Sequence, residues 1–203
     1  MNSSIVLVRH GETEWNHEHI FRGHSDIPLN NRGLEQARIT GEYLQKLDFA
    51  AVYCSPLARA RQTATAISLH HGLEPHPCDG LVDISFGPWE GKSSEELDKI
   101  YPEEMSIWKR EPEKLRLEGV ETLEQVRKRA FDEMQKLVKA NRGGSIAIVS
   151  HRVILKLLLL SMLNLGSDYF WKIRQNSCCV NRIEHSETDG FIILTVNETC
   201  HLK

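Results

Sequence analysis

Histidine and arginine side chains follow three apolar segments of this 203-residue chain. Arg9 and His10 close the segment SIVLVRH, His151 and Arg152 follow SIAIVS, and Arg59 comes four residues after AAVYCS. Cationic side chains that gather in one pocket repel one another unless an anion binds between them. Because guanidinium groups match the geometry of phosphate, a phosphoryl group is the simplest ligand for such a pocket.

The same residue types could also catalyse phosphoryl transfer. A neutral imidazole can attack phosphorus, and neighbouring arginines lower the pKa of a histidine and keep it unprotonated. A second histidine, protonated or as a hydrogen-bond donor, would stabilise the charge of the transition state. A carboxylic acid would then protonate the leaving alkoxide and later take a proton from water. Asp83 or Glu90, in the segment DISFGPWEG, could serve as this acid.

Each of these residues also has an ordinary structural interpretation. A histidine near a strand end is usually structural, and a single arginine such as Arg9 more often lies at the surface or in a salt bridge. Asp83 could cap a turn, and Glu90 could pair with an arginine. A phosphate site is therefore indicated by the conjunction of these residues and by none of them alone.

The elements that must position these residues alternate between strands and helices. The sequence predicts strands over residues 4–9, 50–55, 145–150, 178–183 and 191–196. It predicts helices over residues 30–47, 56–71, 122–141 and 153–165. Asn30 is the expected N-cap of the first helix. Ser55 is the expected N-cap of the second, with Pro56 at its first position. Capping boxes are expected from Ser93 to Glu96 and from Thr122 to Gln125.

Alternating strands and helices of this kind favour an α/β fold with a parallel or mostly parallel sheet and helices on both faces. The predicted strands are apolar throughout, which agrees with burial on both sides. Ligands of such sheets bind beyond the carboxyl ends of the strands. Arg9, His10, Arg59, Asp83 and His151 are therefore expected to converge at one edge of the sheet.

Composition limits the function classes. Apolar residues make up 40% of the chain and charged residues 26%, and the net charge is −3, which does not favour a nucleic-acid or membrane partner. The apolar segment 153–163 contains Lys156 and is too short to cross a bilayer, so it is expected to be a buried helix. Five cysteines without metal-ligand spacing, and no leader at the start of the sequence, favour reduced thiols and a cytoplasmic location.

Six segments occur in an order that resembles the histidine phosphatase superfamily, in the branch with cofactor-dependent phosphoglycerate mutases and small phosphatases. They are LVRHGETEWN, FRGHSDIPLNNRG, SPLARARQTA, DISFGPWEG, VSHR and VNETCHL. The resemblance covers nearly the whole chain and implies one histidine phosphatase domain over residues 1–203. The implied fold is a three-layer α/β/α sandwich with a mostly parallel central sheet, like that of phosphoglycerate mutase.

The resemblance also assigns roles to single residues. It implies a phosphohistidine on His10, and it places Arg9, Arg59 and His151 in the phosphate pocket. It implies a further phosphate contact at Asn16. The remaining two assignments are the substrate-contacting loop at Arg22 and Gly23 and the proton donor at Asp83.

Three positions depart from the pattern of the resembled family. Asp83 stands where many relatives of this branch carry glutamate, so it must lie closer to the substrate or act through water. Arg22 and Arg152 stand where smaller or uncharged residues are frequent. Either arginine could recognise a second anionic group of the substrate, or it could pair with a carboxylate such as Asp83 or Glu90.

A phosphatase and a mutase share the attack of His10 on phosphorus, but a mutase must exclude water from the second step. Only 30 residues lie between Gly91 and Thr122, where mutases of this branch carry an extra segment, so hydrolysis of a small phosphate ester is expected. The alternatives are a cofactor-dependent phosphoglycerate mutase, a protein phosphatase and a non-catalytic phosphate-binding module. No metal or other cofactor is expected; the physiological substrate and the oligomeric state stay open.

Overall fold

A six-stranded sheet forms the centre of the described part of the chain. The computed structural model describes residues 2–203, with His17 described by its backbone alone. The strands are β1 (Ser3–Arg9), β2 (Ala51–Cys54), β3 (Pro75–Pro77), β4 (Ser145–Ser150), β5 (Val180–Ser186) and β6 (Gly190–Glu198). Their order across the sheet is β3-β2-β4-β1-β5-β6.

The sheet is mostly parallel, as the sequence predicts. Strand β1 pairs in parallel with β4, and β2 pairs in parallel with β4 and β3. Strand β5 runs antiparallel to β1 and to β6. Strands β1, β2 and β4 therefore end at the same edge, which brings the residues after Arg9, Cys54 and Ser150 together.

Helices cover both faces of this sheet. They are α1 (Glu14–His17), α2 (Asn31–Leu44), α3 (Ala58–Ser68), α4 (Ser94–Ile100), α5 (Pro102–Arg110), α6 (Leu123–Ala140) and α7 (Arg152–Met162). Alternate residues of β1 enter different cores, because successive side chains of a strand point to opposite faces. Val6 and Val8 belong to the core under α2 and α3, whereas Ile5 and Leu7 belong to the core under α6 and α7. The three-layer α/β/α architecture is confirmed.

Most of the predicted caps are present. The Asn30 side chain accepts a hydrogen bond from the Gly33 backbone N–H, and both capping boxes are formed. The prediction of Ser55 as the N-cap of α3 is wrong, since that helix begins at Ala58. The Ala58 N–H instead donates to the carboxylate of Asp26, 2.6 Å away. A cap supplied by a residue 32 positions away cannot be found from local spacing.

Several predicted boundaries differ from the observed ones. Helix α7 ends at Met162 rather than at residue 165, and the chain takes a left-handed conformation at Asn164, with φ of 54°. The last two strands begin at Val180 and Gly190 and are longer than predicted. Strand β3 and helices α1 and α5 were not predicted, because each is short or rich in polar residues and lacks a clear period.

Lys156 is the only charged residue inside the buried segment of α7. Its side chain is 3% exposed, and its Nζ donates to the Phe170 carbonyl oxygen at 3.0 Å. The ammonium also lies 4.3 Å from the ring centroid of Phe170 and 4.4 Å from that of Trp171. Burial lowers the pKa of Lys156 to about 7, and the nearby Arg152 contributes.

Within residues 2–203, no helix has the length and apolarity needed to traverse a membrane.

A Lys156→Met variant is expected to be more stable than the wild type below pH 7, and this difference should shrink as the pH rises toward 10. Because the folded-state pKa of the lysine is lowered, the unfolded chain binds more protons between these values. The wild type therefore gains up to about 1.4 kcal/mol of unfolding free energy per pH unit, and the variant lacks this gain. Urea unfolding at pH 6, 7.5 and 9 measures the difference, with exposed Lys172→Met as control. A pH-independent difference between Lys156→Met and the wild type would contradict this assignment.

Candidate active site

His10 lies at the carboxyl end of β1 and is fully buried. Its Nδ1 atom is 2.6 Å from the carbonyl oxygen of Gly11. A carbonyl only accepts hydrogen bonds, so Nδ1 must carry the proton and Nε2 the free lone pair. The Nε2 atom is buried and has no hydrogen-bond partner among the described residues. His10 therefore presents an unprotonated nitrogen to the pocket.

The surroundings of His10 also keep its ring neutral. Burial lowers the pKa of His10 well below its ordinary value of 6.5, and the guanidinium of Arg59 is the next largest cause. His151, Arg9 and Arg22 lower it further. A neutral imidazole at physiological pH is the form that can act as a nucleophile.

Arg59 lies in the first turn of α3 and is fully buried. Its Nη1 donates to the Ser25 carbonyl oxygen at 2.8 Å, and its Nη2 donates to the Gly23 carbonyl oxygen at 2.9 Å. The Nη2 atom also lies 3.4 Å from Oδ2 of Asp83. The Nε atom is buried without a partner in residues 2–203 and remains able to donate. The carbonyl oxygen of Gly23 therefore helps to orient the Arg59 side chain.

Arg9 approaches the pocket from the end of β1. Its Nη1 donates to the Gln175 carbonyl oxygen at 2.8 Å, whereas its buried Nε has no partner within the described chain. Burial lowers the pKa of Arg9 to about 10, with Arg152 as the next cause. The guanidinium still carries its charge at neutral pH, so a bound anion would gain from it.

His151 follows β4 and is the N-cap residue of α7. Its ring centroid lies 5.2 Å from that of His10, and its Nδ1 is 3.6 Å from Oδ2 of Asp83, slightly beyond hydrogen-bond distance. Neither ring nitrogen has a hydrogen-bond partner in the described residues. Burial, followed by Arg59, lowers the pKa of His151 well below 6.5. Of the two roles open for this histidine, the structure favours a neutral hydrogen-bond donor.

Asp83 lies between Arg59, His151 and an adjacent cavity, and it is 5% exposed. Its Oδ1 accepts a hydrogen bond from the Ile84 backbone N–H at 3.0 Å. Its Oδ2 faces Arg59 and His151 at the distances given above. A carboxyl group in this position can exchange a proton with a group bound at the pocket.

Glu90 occupies a different environment, although the sequence leaves it open as an alternative acid. Its Oε1 accepts backbone N–H groups of His24 and Phe86, and its Oε2 accepts the N–H and the hydroxyl of Ser25. This carboxylate holds the loop of residues 23–25 against the turn at 86–90. The geometry therefore favours Asp83 over Glu90 as the acid.

The predicted site residue Asn16, and Gly11 next to His10, have contacts that the sequence did not reveal. The Oδ1 atom of Asn16 accepts hydrogen bonds from the N–H and the hydroxyl of Thr13, which leaves its amide NH₂ to donate to a ligand. The N–H of Gly11 donates to the hydroxyl of Thr63. A Cβ at Gly11 would lie 2.5 Å from the Gly33 carbonyl oxygen, so this glycine permits close packing against the start of α2.

Sequence reasoning missed Arg129, which fixes the loop that carries Asp83. From α6, this guanidinium donates to the carbonyl oxygens of Val82 at 2.7 Å and Asp83 at 2.9 Å, and it pairs with Glu121 at 2.8 Å. Glu121 in turn accepts the N–H of Ser85 at 2.9 Å. No motif marks these contacts, because the two segments are more than 40 residues apart in sequence.

A cavity of about 250 Å³ opens beside the pocket. Three tryptophans line it, Trp15, Trp108 and Trp171, and none of them was predicted at the site. Their indoles are large apolar surfaces that an organic group can contact. The cavity thus offers space for the non-phosphate part of a ligand.

Comparisons with known proteins find similar sequences over nearly the whole chain. The profile of the histidine phosphatase superfamily (branch 1) matches residues 5–199. The chain is 32% identical over 198 residues to phosphoserine phosphatase 1 of Hydrogenobacter thermophilus, and the alignment covers 98% of this chain and 93% of that protein. It is 28% identical over 206 residues to the probable phosphoglycerate mutase GpmB of Salmonella choleraesuis, and this alignment covers 98% of this chain and 94% of that protein.

A solved structure has the same fold. The structure of Bacillus stearothermophilus YhfR superimposes with a TM-score of 0.95 at 28% identity, and the match covers 99% of this chain and all of that one. The arrangement of sheet and helices is therefore that of a known protein structure.

Proposed function

This chain belongs to branch 1 of the histidine phosphatase superfamily, and we propose that, as a phosphatase of this family, it hydrolyses small phosphate monoesters through a phosphohistidine on His10. The observation that carries the proposal is the environment of His10. A neutral, buried imidazole has its free Nε2 among Arg9, Arg59 and His151. Such a site combines a nucleophile with the positive charge that a phosphoryl group requires.

In the first step, the lone pair of His10 Nε2 attacks phosphorus. A nitrogen–phosphorus bond forms, the phosphorus–oxygen ester bond breaks, and Asp83 gives its proton to the leaving alkoxide. Arg9, Arg59 and His151 donate hydrogen bonds to the oxygens that do not react. Since the Gly11 carbonyl holds the proton on Nδ1, the phosphorylated ring keeps a hydrogen bond that fixes its orientation.

In the second step, the carboxylate of Asp83 takes a proton from water. The resulting hydroxide attacks phosphorus, the nitrogen–phosphorus bond breaks, and inorganic phosphate leaves with His10 regenerated. The cavity beside Asp83 gives water a route to this position once the alcohol has departed. A mutase would instead hold its bisphosphorylated product and exclude water.

Positive charge in this mechanism comes from Arg9 and Arg59 instead of a metal ion, and His151 adds a neutral hydrogen-bond donor. Among residues 2–203, no three His, Cys, Asp or Glu side chains are grouped in a way that could hold a metal. We expect a small phosphate ester as substrate. The cytoplasmic location favoured by the sequence stays a prediction; all five cysteines are free thiols in the structure.

Purified protein is expected to release orthophosphate from members of a phosphometabolite panel, and EDTA should leave the rate unchanged. The panel contains phosphoserine, phosphoglycerates, α-ribazole phosphate, sugar phosphates and nucleotides. A malachite-green assay with and without EDTA measures the release, and His10→Ala is the blank. Isomerisation of phosphoglycerates in the presence of bisphosphoglycerate, with little phosphate released, would establish a mutase instead.

A further inference from the structure

Two arginines beside the cavity take no part in the mechanism described above. Arg22 and Arg152 both line the cavity next to Asp83. Arg22 is half-buried, and its Nε is buried without a hydrogen-bond partner in the described chain. Arg152 is exposed and opens the first turn of α7, directly after His151. Both guanidinium groups are thus placed where the organic part of a substrate would lie.

Neither arginine is neutralised by the protein. The sequence left open that each pairs with Asp83 or Glu90, but within residues 2–203 neither has a carboxylate at ion-pair distance. Asp83 is engaged with Arg59, and Glu90 is engaged with three backbone N–H groups. Asp83 is also the only acidic residue that lines the cavity in the described chain. Burial lowers the pKa of Arg22 to about 9 and Arg9 lowers it further, while Asp83 acts in the opposite direction.

The charges of the site exceed what one phosphoryl group needs. A phosphate monoester carries close to two negative charges at neutral pH, and Arg9 and Arg59 already supply two positive ones. Asp83, as the proton donor, is uncharged when the ester binds. Arg22 and Arg152 are then left over, and the half-buried cation of Arg22 is costly without a partner.

We propose that Arg22 and Arg152 form a subsite for a second anionic group on the same substrate, so that this enzyme selects phosphate esters carrying a carboxylate or a second phosphoryl group. This inference rests on the proposed function, in that the first phosphoryl group occupies the pocket at His10. Guanidinium groups bind either anion through charge-assisted hydrogen bonds. The other cation of the cavity, Lys109, is already paired with Asp98 at 2.7 Å and is not part of the subsite.

A three-carbon series of substrates isolates the second anion. Propyl phosphate, 3-(phosphonooxy)propanoate and 1,3-propanediol bisphosphate share the reacting end and differ only at the other. The wild type is expected to show kcat/KM about 10- to 100-fold higher for one or both of the doubly anionic esters, the range for one or two charge-assisted hydrogen bonds. A preference confined to one of them identifies the group as carboxylate or phosphoryl.

Arg22→Met and Arg152→Met remove the charge and keep much of the aliphatic volume. In each variant kcat/KM should fall for all three esters, since each arginine adds positive potential at the phosphate. The fall should be about ten-fold larger for the preferred doubly anionic ester than for propyl phosphate. Lys109→Met is the matched control, and its ratio between the substrates should stay within about two-fold of the wild type. Thermal unfolding of each variant checks that it is folded.

Equal kcat/KM for all three esters in the wild type, or equal losses in the arginine variants, would overturn the subsite. Calorimetric binding of the same esters to His10→Ala separates this outcome from failure of the proposed function. Preferential binding of the doubly anionic esters without any phosphate release by the wild type would sustain the subsite and overturn the hydrolase. Phosphate release without such preference would sustain the hydrolase and overturn the subsite.

Discussion

His10→Ala is expected to lower kcat for phosphate release by at least about 10⁴-fold, the scale of losses seen when a covalent nucleophile is removed. The variant should fold, because the His10 side chain makes one hydrogen bond within residues 2–203, to the neighbouring Gly11 carbonyl. It should also still bind phosphate esters, since Arg9 and Arg59 remain. Steady-state phosphate release and calorimetric binding together measure this separation of binding from chemistry.

His151→Ala is the matched comparison, because it removes an equally buried imidazole whose ring lies 5.2 Å away. We expect it to lose about 10²- to 10³-fold in kcat, as for one electrostatic donor to the transition state. After a denaturing alkaline quench, ³²P-labelled substrate should leave label on His151→Ala but none on His10→Ala. Label on His10→Ala, and none on His151→Ala, would reverse the two roles.

The lowered pKa of His10 also sets the acidic limb of the pH profile. A histidine with its ordinary pKa of 6.5 would be mostly protonated and inactive at pH 5.5. Because burial and Arg59 lower the pKa of His10, the free enzyme should keep an unprotonated Nε2 at that pH. Loss of kcat/KM centred near pH 6.5 with a substrate whose own ionisation lies elsewhere would contradict this environment.

The site residues could be predicted where they adjoin the strand ends. Arg9, His10 and His151 follow apolar segments that are recognisable as buried strands, and parallel strands bring such residues to one edge. Arg59 was placed correctly near the start of a helix even though the predicted cap was wrong. The apolar residues that mark each strand in the sequence are also the ones that place it in the buried sheet. The position of the residue that follows the strand could therefore be predicted.

Contacts between distant segments could not be predicted in this way. Asp26 caps α3, Arg129 fixes the Asp83 loop, and Glu90 holds the turn near Gly23. Each uses an ordinary surface residue type whose partner depends on how two loops pack. The choice between Asp83 and Glu90 as acid required these contacts, because both residues are carboxylates in one loop and only their partners differ.

Asp83→Asn is expected to lower kcat for alkyl phosphates by about 10²- to 10⁴-fold, the contribution of general acid catalysis. Asparagine keeps the size of the side chain and can still accept a hydrogen bond from the Ile84 N–H, so the loop held by Arg129 should be retained. It cannot protonate a leaving alkoxide. The measurement is kcat for hydrolysis of an alkyl phosphate by both proteins under substrate saturation.

The leaving group separates this chemical role from a structural one. 4-Nitrophenolate departs without a proton, so Asp83→Asn should lose much less activity toward 4-nitrophenyl phosphate than toward an alkyl phosphate, if formation of the phosphohistidine limits both rates. Glu90→Gln removes a carboxylate from the same loop that lies outside the pocket, and any loss there should be equal for both esters. An equal loss for both esters in Asp83→Asn, or a dependence on leaving group confined to Glu90→Gln, would mean that Asp83 is not the proton donor. Asp83→Glu lengthens the side chain by one methylene but keeps a carboxyl group beside Arg59 and His151. It should therefore show the same dependence on the leaving group as the wild type.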